Sequence, residues 1–155
     1  MIKKFIRKVL GLGQAGPQRV PQRKHGIDRS RIGPTALKVC DALHAAGYSA
    51  YVVGGAVRDL LLNVTPKDYD VATDARPEQV KPLFRRALLI GRRFRIVHVV
   101  IGHETVEVST FRAADNGATE KDAHGRVLRD NVFGSIEDDA RRRDFSINAL
   151  YYDPA

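Results

Sequence analysis

From residue 34 onward, hydrophobic and polar positions alternate between helical and strand spacing. Leu37, Val39, Cys40, Leu43 and Ala46 recur on one helical side, with Pro34 ahead of them and Gly47 behind. Proline in a first turn and glycine after a last one are start and stop signals, so this segment predicts a helix. Tyr48 to Val53 is a β-prone run ending at Gly54-Gly55, followed by a short helix over Val57 to Leu62 and a turn over Asn63 to Pro66. Asp68 to Thr73 predicts a strand in spite of its two aspartates, and Pro77 starts a helix reaching about Arg86. The β-branched runs Phe94 to Ile101 and Thr105 to Phe111, separated by Gly102-His103, predict a hairpin. Residues 113–131 lack periodicity and predict a long polar loop. Ser135 with Asp138 has capping-box spacing and predicts a helix carrying Arg141, Arg142 and Arg143. Asn148 to Asp153 predicts a last short strand. The sum is a mixed α/β (α+β) domain, a small mixed β-sheet with flanking helices.

Charge divides the chain in two. The net charge is +8, and residues 1–31 carry nine Lys or Arg against the single acid Asp28, so the rest is neutral. With Gly11, Gly13, Gly16, Pro17 and Pro21 interspersed, this segment predicts a basic, flexible arm over 1–31 ahead of a folded domain over 32–155. RNA contact, simple solubility and contact with an anionic membrane surface are each open to it. Met1 to Leu10 is too short and too charged for a signal peptide or a membrane span. The lone cysteine, Cys40, lies in an apolar helical pattern and predicts a buried, reduced thiol and a cytoplasmic protein.

Candidate chemistry concentrates in four places. In Lys67-Asp68-Tyr69-Asp70-Val71, period-two alternation predicts Asp68 and Asp70 on one strand face. Two adjacent carboxylates repel each other unless a cation lies between them, and an oxygen-only set suits Mg²⁺. In Val106-Glu107-Val108, Glu107 points away from the valines and is a candidate third carboxylate; it is equally a solvated acid on an outer face. Gly54-Gly55 between a strand and a helix permits close backbone approach, and Arg58 offers a charged clamp for phosphate. The run Arg141 to Asn148 has the composition to bind a nucleotide's phosphates and ribose, or to be an exposed helix face. His98, inside an apolar strand, reads as packed. No Cys/His cluster has zinc spacing, and no Ser, His and Asp grouping suggests a hydrolase.

Together GGAVRDLLL (54–62), KDYDVAT (67–73), VEVSTFR (106–112) and RRDFSINAL (142–150) resemble, in that order, the class II nucleotidyltransferase superfamily of bacterial poly(A) polymerases and tRNA CCA-adding enzymes. The resemblance spans about His25 to Pro154 and implies a polymerase-β-like nucleotidyltransferase head. It makes Asp68 and Asp70 the metal-binding catalytic carboxylates, with Glu107 or Asp144 as the third acid. It places Gly54, Gly55 and Arg58 at the triphosphate, and Arg142, Asp144 and Asn148 along the sugar and phosphates. The implied reaction is template-independent addition of AMP from ATP to RNA 3′ ends, with two Mg²⁺ ions and release of pyrophosphate. CCA addition to tRNA and a non-catalytic nucleotide- or RNA-binding fragment are the alternatives. The stretch from Leu88 to Val99 and the segment from Gly125 to Gly134 are similar to the polymerase branch. The helical neck that selects the base in this superfamily, with the body and tail beyond it, is not among these residues, so the chain is expected to be part of something longer.

Overall fold

The computed structural model describes residues 17–92, 94–113, 120–121, 127–129 and 133–155. Six strands form one sheet: β1 (Ala50–Val53), β2 (Asp70–Thr73), β3 (Ala87–Ile90), β4 (Ile96–Ile101), β5 (Glu104–Thr110) and, last in the chain, β8 (Tyr151–Tyr152). Their order is β3-β4-β5-β2-β1-β8. All neighbours run antiparallel except β2 and β5, which are parallel. A two-stranded sheet of β6 (Glu120–Lys121) and β7 (Val127–Arg129) lies within the expected polar loop.

Helix α2 (Pro34–Ala45) packs on β1, β2 and β5 through Ala36, Val39, Cys40 and Leu43, all buried. Pro34 stands at its start as expected, and Gly47 follows it with φ of +87°. Helix α3 (Gly55–Leu61) adds Val57 and Leu60 to the same core. Under α2, a row of valines crosses the sheet by register: Val97 opposite Val108, Val108 opposite Val71, Val71 opposite Val52. None of the four exceeds 1% exposure, and each such side chain contributes about 1.5–3 kcal/mol on leaving water. Because strand side chains alternate, burying these valines forces their neighbours in sequence onto the opposite face. Cys40 is buried, and that burial pushes its thiol up to about 12.

Several elements depart from the sequence reading. The helix expected from Pro77 to about Arg86 is only α4 (Pro77–Val80) and a 3-10 turn (Lys81–Leu83). Pro82 has no N–H to continue an α-helical ladder, and the next residues pair as strand β3. The strand expected from Asp68 begins at Asp70, so Asp68 precedes the pairing. The capping box at Ser135 is present, with Asp138 N–H donating to Ser135 Oγ at 3.2 Å and Ser135 N–H to Asp138 Oδ2 at 3.1 Å. Its helix α5 (Ile136–Arg141) stops before Arg142 and Arg143. The packed part of the chain also reaches back before residue 32: α1 (Gln22–His25) and a 3-10 turn (Arg29–Arg31) flank Ile27, which is 2% exposed in the main core. The basic residues of segment 1–16 and half of the segment from Gly125 to Gly134 lie outside the described residues.

Candidate active site

The face away from the valine core carries the polar row that the register demands. Across all six strands, Tyr151 stands opposite Val53, Val53 opposite Asp70, Asp70 opposite Glu107, Glu107 opposite His98, and His98 opposite Leu88. Asp70 and Glu107 are thus side by side on the one parallel pair of strands. His98 was expected to pack; instead its Nε2 lies 3.5 Å from Glu107 Oε2, with a third of the side chain exposed. The valines flanking it in sequence, Val97 and Val99, take the core positions.

Crowding of acids leaves an electrostatic mark. The Asp70 carboxyl is held above its ordinary value, first by the desolvation its surroundings impose, then by the Glu107 charge; Arg143 opposes this and Asp68 adds to it. Asp70 is nonetheless an exposed residue, within reach of a ligand. Asp68, in the approach to β2, is exposed as well. Asp144 is exposed beyond α5 and has no hydrogen bond or ion pair among the described residues, so the acid paired to Asp70 in the sheet is Glu107. Among the described residues no three His, Cys, Asp or Glu side chains converge as a ready metal cage. Asp70 and Glu107 opposed on paired strands, with Asp68 two residues ahead of β2, have the oxygen-only chemistry that suits Mg²⁺, which takes few protein ligands and completes its shell with water and phosphate.

Beside Asp70 the chain makes its glycine turn. Gly54 has φ of +68°, a conformation that disfavours any Cβ, and its N–H donates to Leu150 O at 3.0 Å. The turn sits at the end of β1 and the start of α3, with Arg58 one turn on. Arg58 is not free: its Nε and Nη2 donate to Asp59 Oδ1 at 3.1 and 2.8 Å.

A residue that the sequence reading did not single out organises the other wall. Asp139 of α5 is fully buried. Its Oδ1 accepts from Arg142 Nε and Nη2 at 2.9 and 2.5 Å and from the Arg112 N–H at 3.2 Å. Its Oδ2 accepts from Tyr151 Oη at 2.5 Å and from Arg143 Nη2 at 3.2 Å. Burial alone would raise Asp139, but the Tyr151 and Arg142 hydrogen bonds and the Arg142 charge outweigh it and hold the carboxyl low. Arg143, anchored there, also donates from Nη1 to Asn148 O at 3.2 Å, and the same nitrogen lies 3.6 Å from where a Gly54 Cβ would stand. Of the arginine run, Arg143 is therefore the guanidinium at the glycine turn, while Arg142 is tied back to Asp139. Asn148 meets this wall through its backbone carbonyl. The clue in the sequence was the i, i+3 and i, i+4 spacing of Asp139 to Arg142 and Arg143.

The fold is that of a nucleotidyltransferase head. It is similar to the solved structure of the Bacillus stearothermophilus CCA-adding enzyme in complex with CTP, with a TM-score of 0.61 and 37% identity over 79% of this chain and 29% of that one. The family described as Poly A polymerase head domain matches residues 50–155, and the chain belongs to that family. Poly(A) polymerase I of Salmonella typhi is 47% identical over 99% of this chain and 36% of its own length. The CCA-adding enzyme of Bacillus subtilis is 43% identical over 74% of this chain and 28% of its own. The chain thus spans about a third of the length of the curated relatives it matches.

Proposed function

We propose that this chain is the catalytic head of a poly(A) polymerase, transferring AMP from ATP to the 3′-hydroxyl of RNA and releasing pyrophosphate. The observation that carries this reading is the pairing of Asp70 with Glu107 on adjacent strands, next to the glycine turn and the anchored Arg143. A phosphoryl transfer needs positive charge on the phosphates and carboxylates at the reacting end, and few side chains in between. Asp68 and Asp70 are the metal ligands of this reading, with Glu107 beside them. When bound, Mg²⁺ supplies charge neutralisation at the triphosphate and a lowered pKa for the attacking hydroxyl. The open glycine backbone and Arg143 hold the triphosphate, with Arg58, Arg142, Asp144 and Asn148 the further candidates for its phosphates and sugar. The head includes Ile27 and the residues that follow it, and the basic residues ahead of it hold RNA by counterion release. No helix among the described residues is long and apolar enough to cross a membrane.

Similarity over nearly the whole chain to a poly(A) polymerase favours ATP as the substrate. The likeness to CCA-adding enzymes keeps CCA addition as the second reading. Extension of a generic RNA and of a tRNA lacking its 3′ end, with each NTP separately, distinguishes them. Long A-only products on both RNAs are expected. Addition of C and A confined to the tRNA would move the assignment to the second reading. Nucleotide binding that ignores Mg²⁺ and survives loss of Asp68 and Asp70 would leave only a binding module.

A further inference from the structure

Beyond Glu107 the sheet continues for two more strands, and their outer face has no cover among the described residues. Leu88 of β3, in the same cross-strand row as Asp70, Glu107 and His98, is 58% exposed, and Ile90, two residues on, is 40% exposed. Phe94, in the turn to β4, is 39% exposed, with the Arg112 guanidinium 3.9 Å over its ring. Arg86 prolongs the β3 ladder, its carbonyl accepting from Val100 N–H at 2.9 Å, so alternation puts its side chain on the side of Leu88. Arg85, Arg86 and Arg92 are exposed at the two ends of β3, and none has an ion pair among the described residues. An edge strand with exposed leucine and isoleucine is a liability. Bracketed by unpaired cations and continuous with the carboxylates, it has the character of a surface for a polyanion with flat apolar groups.

The direction of the reaction says which polyanion. In-line displacement requires the attacking hydroxyl and the departing pyrophosphate on opposite sides of the reacting phosphorus. The glycine turn, Arg58 and Arg143 lie on the β1 side of Asp70. The acceptor strand then has only the β5-β4-β3 side from which to enter. We propose that the face running from Glu107 past His98 and Leu88 to the β3 edge is the docking surface for the last nucleotides of a single-stranded RNA acceptor. Bases rest on Leu88 and Ile90, and phosphates meet Arg86 and Arg92. This inference rests on the transfer reading above, because that reading sets which side the nucleotide occupies.

The test is fluorescence anisotropy with a labelled, unstructured RNA oligonucleotide, this chain, Mg²⁺ and a non-hydrolysable ATP analogue, across a salt series. Replacing Arg86 and Arg92 together by Gln is expected to weaken RNA binding about fivefold and to reduce the logarithmic salt slope by about 1. Leu88→Ser is expected to weaken binding several-fold with the slope unchanged, because it removes a base contact and not a charge. Melting temperature and affinity for the ATP analogue stay at wild-type values in both. Unchanged RNA affinity and slope in the double variant would overturn the proposal, as would a wild-type chain that does not bind the RNA. A dimer abolished by Leu88→Ser, with RNA binding intact, would identify a second copy of the chain as the occupant and overturn it equally. The nucleotide arm of the same experiment reports on the transfer reading by itself: analogue binding must require Mg²⁺ and be lost in Asp70→Asn.

Discussion

Asp70 is exposed enough to meet a ligand, yet its charge is unwelcome in the folded chain. Its carboxyl is raised relative to the unfolded state, so the fold favours the protonated form. The stability this provides is present below the ordinary carboxylate pKa and is lost as pH rises through the folded value. At neutral pH the ionised side chain therefore costs stability, and Asp70→Asn should leave the melting temperature equal or raise it by about 1–2 °C, the small size reflecting solvent screening. Mg²⁺ should raise the melting temperature of the wild type and leave that of Asp70→Asn unmoved. A fall of several degrees in the variant would mean that Asp70 is structural rather than poised for a cation. Much of this residue's role was legible beforehand, since an aspartate in a β-prone run has no other evident reason to be there. The position of Asp68 was not, because alternation gives a face only once pairing has begun, and β2 starts two residues later.

At the scale of elements, the buried carboxylate of Asp139 fastens α5 to β8 and to the segment that follows β5. Arg142 and Arg143 leave the end of the helix, Tyr151 belongs to the edge strand, and the Arg112 N–H lies two residues past β5. Asp139→Asn would keep the shape but leave two guanidinium groups without their counter-charge, at a cost of about 3–5 kcal/mol. Since the Asp139 carboxyl is held below its ordinary value, its contribution is present above the unfolded pKa and lost as pH falls through the folded one. Urea melts of wild type and variant should therefore differ fully at neutral pH and converge only in strong acid. A gap of under about 1 kcal/mol at pH 7 would contradict the clamp. This hub was hidden in the sequence because the arginine run read as one feature. Only the fold shows that Arg142 and Arg143 spend their charge on an acid in the preceding turn and that helix α5 ends before them. Strand β3 was missed because Ala87-Leu88-Leu89-Ile90 is a continuous apolar run with no period-two alternation to mark a strand.

Over the whole molecule, one register decides both stability and chemistry. The valine row under α2 and the row containing Asp70, Glu107 and His98 are adjacent rows of the same strands, so the core that fixes one also aims the other. A slip of one residue would put the carboxylates into the core, and for that reason the site needs no dedicated scaffold. The layering was readable from the alternation in β4 and β5. The parallel pairing of β2 with β5, which brings Asp70 to Glu107, is a long-range choice that local patterns do not encode: the residues offer it only as a condition, and the family resemblance favours it. The central claim is that this row is a nucleotidyl-transfer centre. The most direct measurement follows labelled AMP from ATP onto an RNA 3′-hydroxyl in Mg²⁺, comparing the wild-type chain with a folded Asp70→Asn variant. Transfer by the wild type and a loss of about a thousandfold or more in the variant are expected; near-normal transfer by Asp70→Asn would mean that the row of Asp70 and Glu107 does not carry the reaction.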